Sequence, residues 1–129
     1  MLRLFNPPEI AKPFSRYSQG AVVVGPARWL HIAGQVGAKP DGTLEVGFEA
    51  QARRCWANLV AVLHAADMGL GDIVKTNVFL TRESDVAASR AIREEVLQGH
   101  AAAATMLMIS ALAHPDLLIE VDAVAAKAS

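Results

Sequence analysis

Two acids and two arginines are the residues best suited to chemistry in this chain. In Leu118-Ile119-Glu120-Val121-Asp122-Ala123-Val124, strict alternation puts Glu120 and Asp122 on one strand face and Ile119, Val121 and Ala123 on the other. If that face meets only water, the acids are ordinary solubilising charges. If it meets another subunit, partial desolvation raises a carboxyl pKa and suits the group to moving protons. The alternation is compatible with both. Arg90 and Arg93 stand three apart, on one side of a helix and beside an apolar stripe of Val86, Ser89, Val96 and Leu97. They read either as a solvated helix edge or as a cation pair at the rim of a cleft for an anionic ligand.

Other reactive residue types offer less. His31, His64, His100 and His114 are widely separated, and neither CxxC nor HExxH occurs, so surface or hydrogen-bonded histidines are expected and no metal. Gly69-Leu70-Gly71 lacks the rest of a dinucleotide fingerprint, and no GxxxxGK[ST] is present. Cys55, the single cysteine, excludes an intrachain disulfide and fits a reducing compartment. It falls on the apolar stripe of a helix, where a buried, inert thiol is expected.

The elements that must position these groups come from a chain of 129 residues, 53% hydrophobic and 19% charged, which fits one compact domain over residues 1–129. Acids exceed Lys and Arg by one, 13 against 12, so no basic field attracts nucleic acid or an acidic membrane. Aromatic residues for base stacking are few, at 5%. Alanine accounts for 24 residues, which suits closely packed helices or a sheet pressed against another surface. Met1 to Pro8 has no apolar run of the signal-peptide kind. The nearly apolar stretch from Ala101 to Ala113 contains Thr105 and Ser110, and a bilayer span needs about 20 apolar residues. A cytoplasmic globular protein is the expectation.

Gly20 to Gln35 reads as a hairpin, with Ala21-Val22-Val23-Val24 turning through Gly25-Pro26 into Trp29-Leu30-His31-Ile32-Ala33. Phe48, Ala52, Cys55, Leu59, Val62 and Ala66 form the stripe of a first helix, with Gly69 as its stop after Met68. Ile73 to Leu80 is a strand with Val74, Thr76, Val78 and Leu80 on one face. Ser84 caps a second helix that runs through Leu97 to Gly99. Thr105 to Leu112 and Leu117 to Ala125 are the last strands, joined by Ala113-His114-Pro115-Asp116. The order β-β-α-β-α-β-β predicts an α+β fold, a mostly antiparallel sheet with two helices on one face. The other face carries apolar side chains and needs a partner, so self-association is expected.

Five segments occur in order along nearly the whole chain: Tyr17-Ser18-Gln19-Gly20, His31-Ile32-Ala33-Gly34-Gln35-Val36, Gln51-Ala52 with Asn58-Leu59, Gly71-Asp72-Ile73-Val74-Lys75-Thr76-Asn77-Val78-Phe79, and Ile119-Glu120-Val121-Asp122-Ala123-Val124-Ala125. Together they resemble the RidA/YjgF family of reactive-intermediate deaminases. The resemblance implies a chorismate-mutase-like fold assembled as a homotrimer, with sheets lining a central barrel and a small-molecule cleft between subunits. It implies hydrolysis of enamines and imines, such as 2-aminoacrylate and its imine tautomer, to 2-keto acids and ammonia without a cofactor. Ribonuclease or translation-inhibitor activity, ascribed to some relatives, is disfavoured by the charge balance and scarce aromatics. Glu120 matches the family glutamate that positions water or relays protons. Tyr17 matches the tyrosine that closes the cleft, and Gly34 the glycine whose backbone borders the ligand. Arg90 occupies a helix position, often asparagine in active members, near the cleft.

The family's carboxylate-binding arginine is absent. Ala102-Ala103-Ala104-Thr105 stands where Pro-Ala-Arg-Ser/Thr belongs, so Ala104 replaces the arginine and Thr105 matches the hydroxyl residue. A charge-assisted bond of this kind contributes about 1.5–3 kcal/mol, so a 2-imino acid binds tens of times more weakly unless another cation substitutes. Arg90, or Arg16 next to Tyr17, is the candidate substitute. Two functions follow: an imine hydrolase that retains Glu120, or a trimeric small-ligand-binding or regulatory module without the chemistry.

Overall fold

The computed structural model describes residues 1–129. Strands β1 (Leu2–Phe5), β2 (Gly20–Val23) and β3 (Ala27–Val36) precede helix α1 (Phe48–Ala65). Strand β4 (Ile73–Leu80), helix α2 (Val86–Leu97) and strands β5 (Ala103–Met108) and β6 (Ile119–Ala128) follow. The main sheet has the order β3-β6-β4-β5, antiparallel except for the β4–β5 pair. Both helices contribute to one core on one face of this sheet, as the order of elements predicts.

Helix α1 forms because its apolar residues recur at three- and four-residue steps. Phe48, Ala52, Cys55, Trp56, Leu59 and Leu63 are all buried. The helix starts after Gly47 at φ 87°, a conformation that glycine adopts without strain, and Glu49 complements the dipole of the first turn. Facing α1, Ile119, Val121, Ala123 and Ala125 of β6 alternate with half-buried Glu120, Asp122 and Val124. Strand β4 buries Thr76, Val78 and Leu80 on the same side. Ile92 and Leu97 bring α2 into this core.

The two strands of the expected hairpin exist but do not pair with each other. β2 pairs antiparallel with β1, which composition gave no reason to expect, and β3 pairs antiparallel with β6. Both β3 and β6 run for ten residues, so their ladder satisfies far more backbone groups than a four-residue hairpin. The amino terminus then serves β2, with the Val24 N–H donating to the Met1 carbonyl at 2.8 Å.

The helix ends also differ. Helix α1 stops at Ala65, and Asp67 at φ 58°, not Gly69, takes the left-handed position that breaks it. Ser84 does not cap α2. It lies in a 3-10 turn, Glu83–Asp85, held by Arg82, which grips the Asp85 carboxylate at 2.8 and 3.1 Å. Gln98 at φ 51° and Gly99 at φ 88° end α2 where expected. Strand β5 begins and ends earlier than its hydrophobic run, and β4 lies between it and β6.

The sheet face away from the helices has no cover within the chain. Trp29 is 54% exposed and Leu107 49%. A polar row crosses this face: Asn77 Nδ2 donates to Asp122 Oδ1 at 2.8 Å and Lys75 Nζ to Thr105 Oγ1 at 2.7 Å.

Candidate functional site

The candidate residues fall into two groups on opposite faces of the sheet. The first surrounds a pocket of about 250 Å³ between α2, the β5 edge and the segment before β2. Tyr17, Arg90, Ala104 and Thr105 all line it, together with Phe14, Ser15, Arg93 and Met106. The amino-terminal segment is fixed there by Ser18, whose N–H donates to the Ala102 carbonyl at 3.2 Å and whose Oγ donates to the Ala101 carbonyl at 2.5 Å. Those bonds set Tyr17 beside the run Ala102 to Ala104. Arg16, the other candidate cation, is exposed and does not line the pocket.

Arg93 overturns the solvated-edge alternative for its helix. It is only 3% exposed, and its Nη2 donates to Ser15 Oγ at 2.9 Å. Burial, with the neighbouring charge of Arg90 adding to it, pulls its pKa below the usual arginine range. The Nε atoms of both Arg90 and Arg93 are buried without a hydrogen-bond partner. So is Thr76 Oγ1, on the residue that pairs across the ladder with Ala104. The three-residue spacing of the arginines was visible in the sequence. What could not be seen is that the segment before β2 comes back to α2, where Ser15 bonds the buried Arg93 while Arg90 stays partly exposed.

The second group is Glu120 with Gly34. A β-carbon on Gly34 would stand 2.1 Å from Glu120 Oε2, so only glycine leaves the carboxylate its place. Gly34 lies at the irregularity between Ile32 and Gln35, where β3 slips register against β6. The Glu120 carboxylate takes no part in any salt bridge of the chain. Two strand spacings, about 10 Å, separate β6 from β5, and Glu120 points away from the helices. Within one chain Glu120 does not reach the pocket.

The remaining reactive side chains are quiet. Cys55 is fully buried and donates from Sγ to the Gln35 carbonyl at 2.8 Å. Burial pushes its thiol up to about 12. His100 Nε2 pairs with the Ile73 carbonyl at 2.7 Å. No three His, Cys, Asp or Glu side chains converge on a point where a metal ion could sit. No helix is long and apolar enough to cross a membrane.

An α+β fold with this pocket and this carboxylate defines a known class. Residues 9–127 match the family described as Endoribonuclease L-PSP, and the chain belongs to that family, the RidA/YjgF family that its motifs resemble. A RutC family protein of Synechocystis is 32% identical over 127 residues, covering 96% of this chain and 95% of that protein. The 2-iminobutanoate/2-iminopropanoate deaminase of Escherichia coli is 34% identical over 98 residues, 74% of this chain and 77% of the enzyme. Among solved structures, YyfB of Yersinia pestis, a Rid-family protein of unknown function, superposes with a TM-score of 0.84. It shares 33% identity, and the match covers 96% of this chain and 97% of that one. The chain is thus a relative of imine deaminases.

Proposed function

We propose that this protein hydrolyses small enamines or imines at a cleft completed between copies of the chain. The observation that carries this reading is the unpaired Glu120 carboxylate, held over Gly34 on a sheet face that the chain itself leaves uncovered. In a homotrimer, that face of one copy meets the pocket edge of the next. Arg90 then holds the substrate carboxylate in place of the missing arginine, and Tyr17 closes the pocket.

Water attacks the imine carbon while Glu120 takes one of its protons. The C=N electron pair moves to nitrogen, which receives that proton, giving a carbinolamine. Glu120 next takes the hydroxyl proton and passes it to the amine as the C–N bond breaks. The products are a 2-keto acid and ammonia. No electrons leave for an external carrier, so the reaction needs no cofactor.

Ala104 favours a second reading, a trimeric binding or regulatory module that keeps the cleft without the chemistry. A coupled assay with 2-iminobutanoate generated in situ separates the two. The enzyme reading expects turnover by the parent, a loss of about a hundredfold or more in Glu120→Gln, and a gain of about tenfold or more in Ala104→Arg. Turnover by Ala104→Arg alone supports the binding module, because it reveals a competent cleft that lacks its anchor. No turnover in any of the three rejects the hydrolytic reading.

A further inference from the structure

A monocarboxylate needs one cation, and this pocket holds two. Neither Arg90 nor Arg93 belongs to any salt bridge of the chain. The other lining residues that one copy supplies are Phe14, Ser15, Tyr17, Ala104, Thr105 and Met106, none of them acidic. Glu94, the acid that acts on Arg93, is exposed to solvent on α2. A buried cation without a counter-charge is destabilising, and a second cation beside it makes the burden larger. A purely structural arginine would be saturated by its own protein. Arg93 instead makes one side-chain bond, to the neutral Ser15 hydroxyl, and leaves its Nε open, as Arg90 does.

We propose that Arg90 and Arg93 together form a receptor for a doubly charged group, so that the ligand of this pocket is a compact dianion rather than a simple monocarboxylate. The inference rests on the reading of this pocket as the ligand site, and not on the hydrolysis. Within one copy, a monoanion neutralises one guanidinium and leaves the other without a counter-charge, whereas a dianion satisfies both. Each guanidinium presents a planar fork of donors suited to carboxylate or phosphate oxygens, and Ser15 and Tyr17 line the pocket beside them. At about 250 Å³, the pocket has room for about eight water-sized atoms, enough for a phosphate or a three-carbon dicarboxylate. Applied to the hydrolytic reading, this selects imino acids that carry a second anionic group.

Calorimetric titration at constant ionic strength and mildly alkaline pH tests the receptor. Inorganic phosphate and malonate serve as dianions, acetate and dimethyl phosphate as monoanions. The parent should bind both dianions about tenfold or more tightly than either monoanion. Arg90→Gln should erase that preference while melting no lower than the parent in anion-free buffer, because it removes an uncompensated charge. Arg90→Gln carries the test because it leaves the Arg93–Ser15 bond in place. Arg93→Lys, which keeps the charge but loses the fork, should weaken both dianions and retain their order over monoanions. Phosphate and malonate distinguish the two sources of double charge, and preference for either over both monoanions sustains the proposal. Equal binding of dianions and monoanions, no anion binding by the parent, or a preference that survives in Arg90→Gln overturns it. Turnover is not read, so a parent that prefers dianions but hydrolyses no imine loses only the hydrolytic reading. Imine turnover without a dianion preference loses only this one.

Discussion

Cys55 shows how position decides the fate of a reactive atom. Its place on the apolar stripe was legible in the sequence, and the structure adds the Gln35 carbonyl that accepts its S–H. The folded thiol is raised from 9.0 to about 12, mainly by burial. A group raised on folding contributes its stability fully below the unfolded value and loses it as pH rises through the folded value. Alkaline titration between pH 9 and pH 12 should therefore cost the parent up to about 4 kcal/mol more than Cys55→Ala. Chemical denaturation across that window checks this, and parallel curves for the two proteins would refute it. Other residues were legible only in part. Gly34 stood out through family resemblance, yet its reason is that the Glu120 carboxylate fills the space a β-carbon would need, which pattern alone does not contain. Arg93 was seen as a helix-edge charge, because burial by a segment 78 residues earlier leaves no local signal.

Elements show the same division between local and distant causes. Strand β4 matches its predicted span because its alternation is set by its own residues. Strands β2 and β3 were placed correctly but paired wrongly, since partner choice depends on β1 and β6, far away in the chain. The motif residues Gln51 and Asn58 reveal what joins these elements. Asn58 Nδ2 donates to the carbonyls of Val36 and Ala38 at 3.1 and 3.0 Å, fastening the end of β3 to α1. Gln51 Nε2 donates to the carbonyls of Glu45 and Asp116 at 3.2 and 2.8 Å, and its Oε1 accepts the Leu118 N–H at 2.8 Å. Leu118 lies two residues before Glu120, so this buried amide sets where β6 enters the sheet. Gln51→Ala leaves three backbone groups without their partner and should cost about 2–4 kcal/mol. Equilibrium unfolding measures that loss, and a change below about 0.5 kcal/mol would mean that water replaces the amide.

For the whole molecule, near-balanced charge and an uncovered sheet face matter more than any single element. The 13 acids and 12 basic residues provide no field for tracking phosphates along a nucleic acid, although the family description carries an endoribonuclease label. Two of the twelve basic side chains instead meet at one small pocket, on the other face of the sheet from the carboxylate proposed to act with them. Such a division makes sense if function belongs to the assembly. Co-expression of Glu120→Gln and Arg90→Gln copies, each inactive alone in the imine assay, tests this most directly. In random mixtures of the proposed trimer about a quarter of the clefts combine an intact Glu120 with an intact Arg90 from neighbouring copies, so about a quarter of parental turnover should return. Mixed assemblies as inactive as either variant alone would contradict a site shared between copies.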